Sequence, residues 1–169
     1  MKRLLFFLML WLPLTGHAAL KVFACEPEWA ALARELGGPN VEVYAATTAL
    51  QDPHRIEARP SLIAQMRRAD LEVGWLPVLL RDAGNAQVQP GRPGYFEAAR
   101  YVALRDKPAA VDRSMGDMHA AGNPHLHTDP HNVARVGAAL AARLAELDPA
   151  GAAAYQARWR DFSARWTAA

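Results

Sequence analysis

The segment GNPHLHTDPHN, Gly122 to Asn132, places three histidines and one aspartate within seven residues, His125 to His131. A fourth histidine, His119, lies just upstream in GDMHAAGNPH. Neutral imidazole is the commonest protein ligand for a metal ion. Zinc takes about four nitrogen, oxygen or sulfur donors in a tetrahedron. Two chemistries suit such a cluster. A hydrolase would use the ion to activate water, and would need an open coordination position and a group to manage the proton. A carrier needs only to hold the ion and let it go. The third reading is a solvated loop that happens to be rich in histidine. One further histidine, His54, stands apart in QDPHRIEARP.

The flanking elements must position these groups. ALKVFACEP (19–27) reads as a short buried strand that ends at Pro27. EWAALARELGG (28–38) reads as a helix with Trp29, Leu32, Ala33 and Leu36 on one face and a glycine pair as its stop. NVEVYAA (40–46) alternates apolar and polar residues as a second strand does. The loop carrying His54 follows. SLIAQMRRA (61–69) is then a helix, DLEVGW (70–75) a third strand, and LPVLLRDAG (76–84) a helix closed by Gly84. Strands and helices alternating in short steps predict an α/β fold, with a parallel sheet flanked by helices. Loops at the strand ends of such a sheet are where ligands bind. His54 and the 119–131 cluster both belong to loops.

Residues 85–124 hold four glycines and four prolines and are expected to be irregular, with YFEAARYVAL (95–104) the clear apolar segment. Beyond them, Asp129-Pro130 is a helix start, an N-cap followed by proline at the first helical position. Val133, Val136, Leu140, Leu144 and Leu147 recur at steps of 3, 4, 4 and 3, predicting an amphipathic helix over about 130–147. Asp148-Pro149 repeats the start signal. Tyr155, Trp159, Phe162 and Trp166 then form an aromatic stripe on a long C-terminal helix, expected to pack into the core or to meet a partner.

Composition narrows the context. Lys2 and Arg3, then the apolar run Leu4–Leu14, then Thr15-Gly16-His17-Ala18, have the order of a secretory signal peptide over residues 1–18. The eleven-residue run is shorter than the roughly 20 residues of a spanning helix. Without Lys2 and Arg3 the remaining chain carries 17 basic and 17 acidic residues. It therefore lacks the basic excess of a nucleic-acid binder. Cys25 is the single cysteine, which excludes an intramolecular disulfide.

Two families resemble parts of this pattern. HLHTDPH nearly matches the H-x-H-x-D-H run of metallo-β-lactamase-like hydrolases, in which His125 and His127 would share one zinc and Asp129 would serve a second. Pro130 displaces the last histidine, His131, by one place, and the long β sandwich of that fold is absent. The wider resemblance, over residues 20–160, is to the substrate-binding proteins of zinc and manganese ABC transporters. DPHRIEARPSLIAQMRRADL is similar to their D-P-H-x-x-E-x-x-P-S motif with its helix. NPHLHTDPHN is similar to D-P-H-x-W-x-D-P-x-N, with Asn123 in place of the first Asp and His127 in place of Trp. AELDPAGAAAYQAR is similar to the segment that opens the helix between two lobes.

This second resemblance implies a periplasmic metal carrier that is not an enzyme and that passes its ion to an ABC permease in the inner membrane. It implies His54 and His125 as metal ligands, with His119 a further ligand from the adjoining loop. His127 ranks below these, Asp129 caps a helix, and His131 sits exposed in that helix's first turn. Glu57 and Ser61 match motif positions that shape the His54 loop and start the helix after it, without a ligand role. Histidine ligation favours Zn2+ over Mn2+. The implied organisation is a signal peptide (1–18), an N-terminal α/β metal-binding lobe (19–147) and the start of a connecting helix (148–169), without the second lobe. ADLEVGWLPVLL is shorter than the family's equivalent, which puts the third strand in doubt. A periplasmic metal buffer or interaction module is the remaining alternative.

Overall fold

Apolar segments of only two to five residues build the centre of the molecule. In the computed structural model, which describes residues 18–51, 56–74, 76–105, 123 and 125–169, they form four parallel strands. These are β1 (Leu20–Ala24), β2 (Val41–Ala45), β3 (Leu71–Val73) and β4 (Tyr95–Phe96). Their order in the sheet is β2-β1-β3-β4. Val22 lies opposite Val43 on one side and Leu71 on the other, and Val73 lies opposite Phe96. The short third strand does form. β4 lies within the region expected to be irregular. It is two residues long, too short for periodicity to reveal, and neighbouring β3 holds it. The leader expected over residues 1–18 lies almost wholly outside the described residues, as do His54, His119 and Trp75.

The helices are α1 (Pro27–Gly37), α2 (Pro60–Arg67), α3 (Pro77–Ala83), α4 (Pro130–Leu147) and α5 (Ala152–Ala168). The first four each open on a proline. Proline presets φ there and lacks only an N–H that would have had no helical partner. Right-handed crossovers in this strand order put α1 on one face of the sheet and α2 with α3 on the other. α4 and α5 pack against α1 and against each other. The expected stripe on α5 divides: Tyr155 and Phe162 are buried, Trp159 is half-buried, and Trp166 is exposed, with its indole N–H donating to the Pro130 carbonyl at 2.9 Å. Asp148-Pro149 starts a short 3-10 turn, Pro149–Gly151, and the α-helix proper begins three residues later than the start signal. No helix among the described residues is long and apolar enough to cross a membrane.

Two arginines complete the outer strands. Arg34 of α1 donates to the Val43 carbonyl at 3.0 Å, and Arg143 of α4 donates to the Tyr95 carbonyl at 2.9 Å. Both carbonyls point away from the neighbouring strand. Ala46 N–H bonds to Ala24, and Gly94 and Phe96 accept from β3, so the intervening residues face outward.

The ADLEVGW segment holds two tightly constrained residues. Glu72, at the centre of β3, is fully buried, and neither carboxylate oxygen has a hydrogen-bond partner. Gly74 leaves the strand at φ 140°, and a Cβ there would lie 2.0 Å from Cys25 Sγ. A left-handed φ combined with a collision against a buried side chain makes glycine a requirement. Gly74→Ala is therefore expected to lower the unfolding free energy by about 1–3 kcal/mol, read from the urea midpoint. An unchanged midpoint would contradict this packing.

Candidate metal centre

Parallel strands all end on the same side of the sheet, so the loops that follow them gather there. In the order β2-β1-β3-β4 the chain leaves β1 in one direction and passes to β3 in the other. The crevice at that reversal, beyond the carboxyl ends of the strands, is the usual ligand site of an open α/β sheet. Glu26 lies two residues past the end of β1, after Cys25, and precedes Pro27. The loop after β2 is tied beside it by buried Thr47, whose Oγ1 donates to the Cys25 carbonyl at 2.8 Å. That loop continues to Gln51, whose side chain accepts from Thr48 N–H at 3.0 Å, and then reaches His54 outside the described residues.

The second loop is short and well anchored. Leu126–Thr128 is a 3-10 turn, and buried Leu126 fixes it to the core. Asn123 Oδ1 accepts from His125 N–H at 2.9 Å, Thr128 Oγ1 donates to the His125 carbonyl at 2.8 Å, and buried Asn132 donates to the Leu126 carbonyl at 3.2 Å. These bonds hold the backbone on both sides of His125, whose side chain is exposed. His125, Asp129 and His131 border a cleft of about 470 Å³ together with Arg105 and Leu104.

His127 turns inward, toward the start of α1. Its side chain is 19% exposed and its Nδ1 lies 3.8 Å from Glu26 Oε2. The ring meets Trp29 edge-on, with centroids 6.1 Å apart. The His125 and His127 rings are 6.0 Å apart and nearly perpendicular. His127 Nδ1 is buried without a hydrogen bond. Burial raises the pKa of the Glu26 carboxyl above its ordinary value, and the positive charges available at His127 and His125 oppose the rise.

Asp129 and His131 do not join this group. Asp129 Oδ1 accepts from the His131 backbone N–H at 2.9 Å as the N-cap of α4, and Oδ2 lies 3.8 Å from Arg105. The His131 side chain is exposed in the first helical turn. Among the described residues no three His, Cys, Asp or Glu side chains converge closely enough to hold a metal by themselves. Of the three expected ligands, the structure thus describes His125 alone. Sequence reasoning did not single out Glu26 and set His127 below the others. The signal available was the position of Glu26 in the turn between a parallel strand and the proline that opens α1.

Comparison with known proteins agrees with this architecture. The family model described as "Zinc-uptake complex component A periplasmic" matches residues 22–169. A comparison with curated protein sequences finds no match. Among solved structures, a zinc-bound deletion mutant of ZnuA superposes with a TM-score of 0.70 at 24% identity, over 88% of this chain and 55% of that one. Zn(II)-bound AdcA from Streptococcus pneumoniae gives a TM-score of 0.68 at 15% identity, over 89% and 31%. A mutant Mn-bound periplasmic metal binding protein from Candidatus Liberibacter asiaticus gives 0.63 at 18%, over 86% and 52%. The chain thus spans about half the length, or less, of these proteins, and shares with them the fold of the matched part.

Proposed function

We propose that this chain, which belongs to the zinc-uptake complex component A periplasmic family, binds zinc as the periplasmic component of an ABC-type uptake system. The observation that carries the reading is the family match together with His125, fixed on a short anchored turn at the carboxyl ends of the strands. In this reading residues 1–18 direct export, residues 19–147 are the metal-binding lobe, and residues 148–169 open the helix that leads on from it. His54 and His125 are ligands, with His119 a further one. The ion is cargo, so no covalent bond of a substrate is cleaved, and the residues need only coordinate the ion and release it to a membrane permease.

One feature favours zinc transport over zinc chemistry, and a second favours zinc over manganese. The carboxylate of Asp129 is engaged by the start of α4, which takes it out of an H-x-H-x-D arrangement. The ligand types are mainly imidazole, which suits zinc better than manganese. Titration of the purified protein with zinc against a chelating dye is expected to show one site. His54→Ala and His125→Ala should each weaken it at least tenfold, because each removes a direct donor. Stoichiometric zinc binding untouched by both substitutions would remove the site assignment. Tighter binding of manganese than of zinc would overturn the choice of cargo.

A further inference from the structure

We propose that His127 is itself a zinc ligand through Nε2, with Glu26 as the positioning residue that holds its Nδ1 side. This rests on the carrier reading above and extends its ligand set. The competing account makes His127 an aromatic filler against Trp29.

Three observations favour the ligand. First, His127 Nδ1 is buried with no hydrogen bond, a costly state for a polar ring that only fills space. The acidic group facing it is Glu26, with Oε2 at 3.8 Å. A movement of about 1 Å would bring this pair to hydrogen-bonding distance. A carboxylate at one ring nitrogen fixes the proton there and leaves the lone pair on the other, as metal-binding histidines commonly require. Secondly, Nδ1 is buried, so the side chain's 19% exposure lies on its other atoms. Thirdly, two imidazoles bound to one zinc at bonds of about 2.0–2.1 Å hold their ring centres roughly 5–6 Å apart. The His125 and His127 rings stand at 6.0 Å on one anchored turn. An aromatic filler has no reason to meet either the carboxylate or the neighbouring imidazole at these spacings.

The test compares the full chain with His125→Ala, His127→Phe and Glu26→Gln, each prepared metal-free and checked for an unchanged unfolding midpoint. Phenylalanine keeps the ring against Trp29 and removes the donor. Zinc affinity should fall at least tenfold in His127→Phe and about 10–100-fold in Glu26→Gln. With Co2+ in place of zinc, the visible absorption of His127→Phe should change, which loss of a filler would not produce. Unchanged affinity and an unchanged cobalt spectrum in His127→Phe would overturn the proposal. If His125→Ala were then still impaired, the carrier reading would survive; if His125→Ala also bound normally, that reading would fall as well. Should His127→Phe not fold, 15N chemical shifts of the unaltered protein decide. His127 Nε2 moves to a metal-bound value on zinc addition if the proposal holds, and stays in place if it does not.

Discussion

At neutral pH the Glu72→Val protein is expected to be more stable than the unaltered chain by about 2 kcal/mol or more, the scale of removing a buried polar group with no hydrogen-bond partner. Glu72 is fully buried in the middle of β3, and both carboxylate oxygens lack hydrogen bonds. Burial raises its pKa well above the ordinary carboxylate value, and the negative charge of Glu97 raises it further. Folding therefore favours the protonated form. The penalty is absent below the usual carboxylate range, where folded and unfolded chains both hold the proton. It grows as pH rises, by about 1.4 kcal/mol per unit, until the folded-state pKa is reached. Urea unfolding at several pH values should show stability falling over that window, and Glu72→Gln should flatten the slope. Valine suits the site as a β-branched residue of similar volume. A Glu72→Val protein no more stable at neutral pH would show that the carboxylate has found a partner.

Asp148→Ala is expected to have the largest effect in the opposite direction, a loss of about 3 kcal/mol. Asp148 is 1% exposed and sits where α4 passes into α5. One carboxylate oxygen accepts from the Gly151 N–H at 3.1 Å, and the other accepts from the Tyr155 hydroxyl at 2.6 Å. Tyr155 also bonds with the Asn40 side chain, just before β2. Its hydroxyl pKa is pushed upward, first by burial, then by the hydrogen bond to Asp148 and by the charge there. Alanine would remove the cap and strand a buried hydroxyl together. Tyr155→Phe removes one bond and keeps the ring, so it should cost about 1–2 kcal/mol. The double variant should lose less than the two single losses combined, because they share one bond. A loss below about 1 kcal/mol in Asp148→Ala would mean that the hydroxyl finds another acceptor.

The elements with strong local signals were legible in the sequence. α1, α2 and α4 carry apolar periodicity and open on proline, and each lies within two residues of its expected span at both ends. β4 was not legible, because two residues have no period and are held by β3 alone. The site was legible in part. The capping role of Asp129 follows from spacing, and the capping bond is present; the exposure of His131 in the first turn of that helix is as expected. The inward turn of His127 was not legible, because it depends on meeting Glu26 and Trp29 about a hundred residues earlier in the chain. Spacing within a loop says which residues share the loop, but which way each side chain turns is decided by what the loop packs on. The cost of Glu72 was hidden for the same reason. LEV reads as part of a strand, and only the packing on both faces of the sheet makes its middle residue internal along with Leu71 and Val73.

The two arginines on the outer strands have a consequence beyond the fold of one molecule. A sheet whose last strand presents bare carbonyls invites a strand from another chain, the first step toward aggregation. Here the carbonyl of Val43 at one end and that of Tyr95 at the other already accept from Arg34 and Arg143. An incoming strand would have to displace a guanidinium at either side before it could add, so these side chains guard the protein's solubility in its folded state.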